Sequence, residues 1–230
     1  MPRRRKHSFL MIDSISRLEK FAGRLNKQKI IGVDLEADSM YHFKEKVCLI
    51  QIATRNITAV IDPLQIKNLS VLKPVFRRAD IQKIFHGADY DVRSLHRDFR
   101  ISVNNLFDTE LACRFLGYRE SGLEAVLKNR FNVHLNKKYQ RKDWSKRPLP
   151  KEMIAYAAKD VHYLVPLAKG LHQELKHKGR LSWVEEECIY LSRVRAANRL
   201  STAASSDTPA APWLLLSFWP RSLIATGTWQ

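Results

Sequence analysis

Two carboxylates at the end of an apolar run are the first residues in this chain whose types and spacing indicate chemistry. Asp34 and Glu36 close the run IIGVDLE. If that run is a β-strand, side chains two residues apart point to the same face, so the two carboxylates converge. Like charges held together cost stability unless a cation neutralises them, and hard divalent cations prefer carboxylate oxygens. A solvated strand end explains the same pattern when it is taken alone.

Two later motifs offer further candidates. HGADYD contains Asp89 and Asp91 where a strand gives way to a helix, although an acidic residue at a helix start is also an ordinary cap. YAAKDVHYL contains Tyr156 and Asp160, whose spacing of four places both side chains on one face of a helix. Each motif alone also fits a structural role, as a core aromatic or a surface charge. Their order and joint presence favour a catalytic site.

The three motifs in this order resemble the DEDD superfamily of 3′–5′ exonucleases, in its tyrosine-bearing branch, and are most similar to ribonuclease D. They read VDLEAD, HGADYDVRSL and YAAKDVHYL. The segments KVCLIQIA, LFDTELACRFLGY and DWSKRPLPKEMIAYAAKD also resemble that family. The resemblance covers residues 8–199, which is most of the chain.

The resemblance implies a site as well as a fold. The implied fold is α/β, a ribonuclease H-like mixed sheet of five to six strands flanked by helices. The implied cofactors are two divalent metal ions, Mg²⁺ or Mn²⁺, acting in two-metal hydrolysis. The implied metal ligands are Asp34, Glu36, Asp91 and Asp160, with Tyr156 orienting the attacking water. In the second motif the resemblance therefore selects the later of the two aspartates.

The implied activity is that of a 3′–5′ exoribonuclease that releases nucleoside 5′-monophosphates. RNA 3′ ends are the implied substrate, with tRNA precursors typical of the family. The motifs do not read the sugar, so a DNA 3′–5′ exonuclease acting on single-stranded DNA stays open as an alternative. A non-catalytic RNA-binding module on a nuclease fold is a third possibility, and the intact set of five site residues argues against it.

The positive charge of the chain is clustered. The net charge is +17, residues 1–30 contribute +7, the basic segment at residues 128–151 contributes +8, and residues 31–127 are neutral. Such clusters indicate a polyanion partner, although a solvated basic surface explains one cluster equally well. For Trp144 a packing role and base stacking are equally supported. The side chains predicted to contact nucleic acid are Lys137, Lys138, Arg141, Lys142, Trp144, Lys146 and Arg147.

The elements that must position these residues follow from apolar periodicity. A capping box of Ser16 and Glu19 predicts the start of the first helix. Short runs rich in Val and Ile predict strands at 8–13, 30–36, 46–53, 58–62 and 82–86. Helices are predicted at 69–79, 89–99, 109–116, 121–131, 151–177 and 182–199. Strands followed by helices with an interleaved strand predict an α/β fold.

Composition limits the remaining classes. No apolar run reaches the roughly 18 residues of a membrane span, so we expect no membrane association through such a helix. The three cysteines are far apart and fit no metal-ligand spacing, so we expect a reduced, cytoplasmic protein. Residues 1–199 are predicted to form the exonuclease domain. Residues 200–230 change in composition to a low-complexity and then apolar tail, predicted to be poorly ordered unless it docks on the domain or on a partner.

Overall fold

The computed structural model describes residues 9–135 and 137–194. The predicted tail at 200–230, its boundary with the domain, and the basic residues 1–8 lie outside the described residues. Among the helices that are described, none is long and apolar enough to cross a membrane.

Six strands form one mixed sheet in the order β1-β4-β3-β2-β5-β6. Antiparallel pairing joins β2 to β3 and β3 to β4, whereas β1 pairs parallel with β4, and β5 and β6 extend the sheet parallel to β2. Every residue of β3 and β4 is buried, which explains their continuous apolar runs. The predicted α/β fold with a mixed sheet is confirmed. The strands are β1 (Phe9–Ile12), β2 (Ile30–Ala37), β3 (Val47–Ala53), β4 (Thr58–Ile61), β5 (Gln82–Phe85) and β6 (Leu106–Asp108).

Helices cover the sheet. In the described residues they are α1 (Ile15–Leu25), α2 (Leu72–Arg77), α3 (Ala88–Phe99), α4 (Thr109–Phe115), α5 (Leu123–Phe131), α6 (Lys151–His162), α7 (Leu164–His177) and α8 (Leu181–Arg193). α6 packs across β2, β3 and β4, α7 packs on β2 and β5, and α8 packs on β6. α6 therefore faces the strand that carries the first two carboxylates.

Two local predictions were wrong, and one strand was not predicted. The first helix begins at Ile15 with Ser14 as its N-cap, so Ser16 lies inside the helix and forms no capping box. The single helix predicted at 151–177 is two helices, because Pro166 has no N–H to continue the helical hydrogen bonds across the junction. β6 was not predicted, since a strand of three residues is too short to show a period.

α6 and α7 meet the sheet closely at Gly32 on β2. A Cβ at this position would lie 3.1 Å from Leu164 Cβ and 3.2 Å from the Val161 carbonyl oxygen. Such distances are tighter than ordinary packing, so a larger residue would push the helices outward. The glycine thus lets the end of α6 approach β2, and this brings Asp160 on the helix close to Asp34 on the strand.

Asp108, at the end of β6, fixes the starts of two helices. Its buried carboxylate accepts hydrogen bonds from the backbone N–H groups of Gly87 (2.9 Å) and Ala88 (2.8 Å), where α3 begins. It also accepts from two backbone N–H groups of the first turn of α4, at 2.8 and 3.3 Å. Gly87 has φ +79°, a conformation that glycine adopts without strain. One carboxylate therefore sets the position of the helix that carries Asp91.

We expect Asp108→Ala to lower the free energy of unfolding by about 2 kcal/mol, because buried backbone donors lose their acceptor and a helix cap is removed. Urea denaturation measures the change. The matched control is Asp13→Ala, which removes an exposed ion pair with Arg17 (3.1 Å) and should change stability by about 0.5 kcal/mol or less. Equal effects of the two substitutions would contradict the role assigned to Asp108.

Candidate active site

Carboxylates from β2 and α6 meet over the middle of the sheet. One oxygen each of Asp34, Glu36 and Asp160 lies within 4.8 Å of the other two. The first two share a face of β2, as their spacing predicted, and the third comes from α6 across the close approach at Gly32. Asp91 lies outside this group of three but close enough that its charge affects Glu36.

All four carboxyl groups have raised pKa values, and burial is the first cause in each case. The pKa of Asp34 rises to about 6, and that of Asp160 to about 8 through burial and then the Asp34 charge. Burial and then the three other carboxylates raise the pKa of Glu36 well above its usual range. Burial and then the Asp34 charge do the same for the pKa of Asp91. The site thus resists negative charge unless a cation joins it.

The donor set fits a hard divalent cation. Its ligand atoms are all carboxylate oxygens, which suit Mg²⁺ and Mn²⁺ better than softer metals. Asp160 Oδ1 is buried and has no hydrogen-bond partner among the described residues. A buried carboxylate oxygen is costly in that state, and a cation would satisfy it. Asp34, Glu36 and Asp160 would hold such an ion, with Asp91 alongside.

Tyr156 stands one helical turn before Asp160, close enough that the charge of that carboxylate affects its hydroxyl. Burial, and then the charge of Asp160, raises the pKa of the Tyr156 hydroxyl, so it stays a donor across the physiological range. Its ring lies 6.3 Å from the ring of Trp144, stacked at 29°, and 5.6 Å from that of Tyr139. Packing against these two rings therefore holds the Tyr156 side chain beside the carboxylates.

The position of Trp144 favours packing over base stacking. Only 1% of the residue is exposed, and it joins Tyr156, Met153 and Leu49 in a cluster beneath the site. Its indole face is used against Tyr156, so it offers no open surface for a nucleic-acid base.

Arg147 also serves the fold where a phosphate contact was predicted. Its guanidinium donates to both carboxylate oxygens of Asp62 (2.7 and 2.8 Å) and to the Cys48 carbonyl (2.9 Å). The remaining two N–H groups reach the carbonyls of Trp144 and Lys146, each at 2.7 Å. All five donors of the side chain are therefore used. These hydrogen bonds attach the basic segment to β3 and to the end of β4.

The other predicted nucleic-acid contacts lie on the surface of this basic segment, except that the side chain of Lys137 is not described. Tyr41, in the loop after β2, donates its hydroxyl to the Arg141 carbonyl at 2.6 Å, which joins that loop to the segment. Among the predicted contacts, the exposed basic side chains are Lys138, Arg141, Lys142 and Lys146.

The two aspartates of the second motif have different environments. Asp89 is exposed and pairs with Arg93 at 3.0 Å, one turn along α3. Asp91 is buried and faces the negative charge of Asp34. Periodicity alone could not separate them. The sequence also did not reveal the hydrogen bonds of Asp108 to the start of α3 or the Asp62–Arg147 ion pair. Each joins residues that are far apart in the chain.

A family model described as a 3′–5′ exonuclease matches residues 9–176. The exosome complex exonuclease RRP6 of Saccharomyces cerevisiae is 34% identical over 217 residues, which are 91% of this chain and 30% of the yeast protein. The catalytic core of RRP6 from Trypanosoma brucei superimposes with a TM-score of 0.79 at 37% identity, over 82% of this chain and 53% of that one. Escherichia coli RNase D, an exoribonuclease involved in structured RNA processing, superimposes with a TM-score of 0.75 at 29% identity, over 80% and 50%.

These likenesses confirm the predicted ribonuclease H-like fold, which RRP6 and RNase D share with this chain. The specific likeness to ribonuclease D needs correction, since RRP6 fits better in both identity and TM-score. The chain spans about a fifth to a third of the length of the curated relatives it matches.

The raised pKa values set the direction of a pH effect. A folded-state pKa above the ordinary value means that the protonated carboxyl is favoured on folding, and this stability disappears as pH rises through the folded pKa. Without divalent cations we expect the melting temperature to fall as pH rises through about 6, for Asp34, and about 8, for Asp160. Thermal unfolding in EDTA over this range measures it.

Asp160→Asn is the control, because an amide does not ionise and should flatten the upper part of the pH profile. A wild-type melting temperature that stays constant across the range, or an unchanged slope in the variant, would contradict the electrostatic account of the site.

Proposed function

The chain belongs to the 3′–5′ exonuclease family, and we propose that it is an exoribonuclease that shortens RNA from the 3′ end with divalent cations. The observation that supports this most is the grouping of Asp34, Glu36 and Asp160 within 4.8 Å beside the protonated hydroxyl of Tyr156. A structural cluster of charges would have basic partners, whereas these carboxylates raise one another's pKa values.

The reaction is hydrolysis of the terminal phosphodiester. The oxygen of a water molecule attacks phosphorus as the water gives up a proton, and the bond from phosphorus to the 3′ oxygen of the penultimate nucleotide breaks. That oxygen takes up a proton to become a 3′ hydroxyl, and a nucleoside 5′-monophosphate leaves. The Tyr156 hydroxyl hydrogen-bonds to the attacking water and orients it. Asp34, Glu36, Asp91 and Asp160 would hold the divalent cations. Bound Mg²⁺ or Mn²⁺ supplies positive charge that stabilises the attacking and leaving oxygens.

The basic segment around Trp144 holds the RNA. An acidic site must accept a polyanion, so cationic side chains beside it are needed to offset repulsion. Lys138, Arg141, Lys142 and Lys146 are exposed on the segment whose Trp144 packs on the catalytic tyrosine. Phosphate binding and the catalytic hydroxyl are thus parts of one packed unit.

The descriptions of two relatives support RNA as the substrate in preference to DNA. Yeast RRP6 is named an exosome complex exonuclease, and E. coli RNase D is described as an exoribonuclease involved in structured RNA processing. We propose structured RNA 3′ ends, tRNA precursors included, as the substrate class. The carboxylates and Tyr156 act on the phosphate and the attacking water, which RNA and DNA share, so the choice between the two needs a direct assay.

The assay uses 5′-labelled RNA and DNA of matched sequence with Mg²⁺, Mn²⁺ or EDTA. We expect a ladder shortened from the 3′ end for RNA, nothing in EDTA, and a decrease of about 100-fold or more in Asp34→Ala and Asp91→Ala, because each removes a metal ligand. Tyr156→Phe should lower turnover while leaving cation binding intact, because it removes only the orienting hydroxyl.

Asp89→Ala is the matched control, since it deletes a surface carboxylate two residues before Asp91. It should keep full activity. Full activity in Asp34→Ala would overturn the proposed site, and faster cleavage of DNA than of RNA would overturn the proposed substrate.

The basic segment makes a separate prediction. Replacing Lys138, Arg141, Lys142 and Lys146 by Ala should weaken RNA binding and make it less dependent on salt, by about 0.7 in the log–log slope for each phosphate that is no longer neutralised. Fluorescence anisotropy in EDTA, where no cleavage occurs, measures both. The control replaces Lys176 and Lys178 on the surface near the end of α7. Equal weakening in both variants would indicate general charge attraction and contradict a binding role for the segment.

A further inference from the structure

Gln51 shares the sheet face that carries the site. It lies in the middle of β3, paired with Asp34 on β2 and with Val60 on β4. Cross-strand neighbours point to the same side of a sheet, so its side chain stands on the same face as the carboxylates of β2. The same register pairs Glu36 with Leu49, two residues before Gln51.

This face is covered by α6. Leu49 and Val60, the neighbours of Gln51, pack in one cluster with Tyr156 and Ala157 of that helix. Gln51 is 0% exposed. Because its surroundings are apolar, a Leu or a Met would suit this position.

The amide of Gln51 is unsatisfied in the fold. Neither its Nε2 nor its Oε1 has a hydrogen-bond partner among the described residues. A buried amide without partners lowers stability compared with an apolar side chain of similar size. The fold thus gains nothing from the amide, which indicates that another state of the protein uses it.

A matching acceptor lies on the facing element. Asp160 Oδ1, on α6, is likewise buried and without a hydrogen-bond partner in the described part of the chain. α6 and β3 pack directly against each other. A carboxylate that ligates a cation has further lone pairs that the cation does not use, and inside a protein these need a hydrogen-bond donor.

An amide suits this task better than a charged donor. A lysine here would neutralise the carboxylates itself and repel an incoming divalent cation. An amide N–H₂ donates to a carboxylate without adding net charge, and it cannot lose that ability by titration. Donors behind ligating carboxylates orient them and strengthen cation binding.

We infer that Gln51 is a positioning residue, whose buried amide opposite Asp34 donates to the cluster of Asp34 and Asp160 when these carboxylates hold a divalent cation. The inference rests on the proposed function, because it presumes that the site binds such a cation. On this inference the amide contributes to the cation-bound protein and does not stabilise the cation-free fold.

The test is Gln51→Met in the full chain, with Mn²⁺ as the probe and no nucleic acid present. Isothermal titration calorimetry should show the dissociation constant for Mn²⁺ rising about tenfold. The melting temperature in EDTA should stay equal to that of the wild type or rise, because an unsatisfied amide is replaced by an apolar chain. The variant should therefore bind Mn²⁺ more weakly without losing stability. Replacing a residue that is needed only for packing would lower stability instead.

Leu49→Met is the matched control on the same strand and face, and it should leave the Mn²⁺ affinity unchanged. A lower melting temperature or failure to fold in Gln51→Met, or an affinity equal to that of the wild type, would overturn the role of Gln51. A wild-type chain that binds no Mn²⁺ would instead overturn the proposed function, so the two failures are distinguishable.

Discussion

Repulsion among four carboxylates, two of them buried and two half-buried, is the constraint on which this structure depends. Asp34, Glu36, Asp91 and Asp160 come from three separate elements, and burial raises the pKa of each. A fold that brings such groups together loses stability at neutral pH, and selection for stability alone would disperse them. A bound divalent cation would offset this cost, because its charge would balance the repulsion and its coordination would satisfy the carboxylate oxygens.

The scaffold around the cluster is built to resist that repulsion. Gly32 lets α6 approach β2, and Asp108 anchors the start of α3 through Gly87 and its neighbour. Asp62, through its buried pair with Arg147, fixes the basic segment beside the site. Each device joins elements that are distant in the chain. The same contacts position Trp144 against Tyr156, so that the segment proposed to bind RNA also packs against the tyrosine proposed to orient the attacking water.

The sequence predicted those parts of the site that depend on local spacing. The i, i+2 pattern of Asp34 and Glu36 and the i, i+4 pattern of Tyr156 and Asp160 are fixed by strand and helix geometry. Arg147 was expected to bind phosphate because it stands in a basic run, and its partner Asp62 lies 85 residues earlier. No local pattern indicates such a pair. Three-residue β6 and the break between α6 and α7 were missed for similar reasons, since one is too short to show a period and apolar periodicity runs unbroken across the other.

The most direct measurement of the central claim counts the protons released when the wild-type chain binds Mn²⁺ near neutral pH. Calorimetry in two buffers of different ionisation enthalpy gives this number without nucleic acid and without catalysis. The pKa of Asp160, at about 8, and the raised pKa values of Glu36 and Asp91 mean that a cation must displace protons to use these carboxylates, so we expect release of about one proton or more per chain. Binding without proton release, or no binding, would contradict the claim that a cation replaces the protons of these clustered carboxylates.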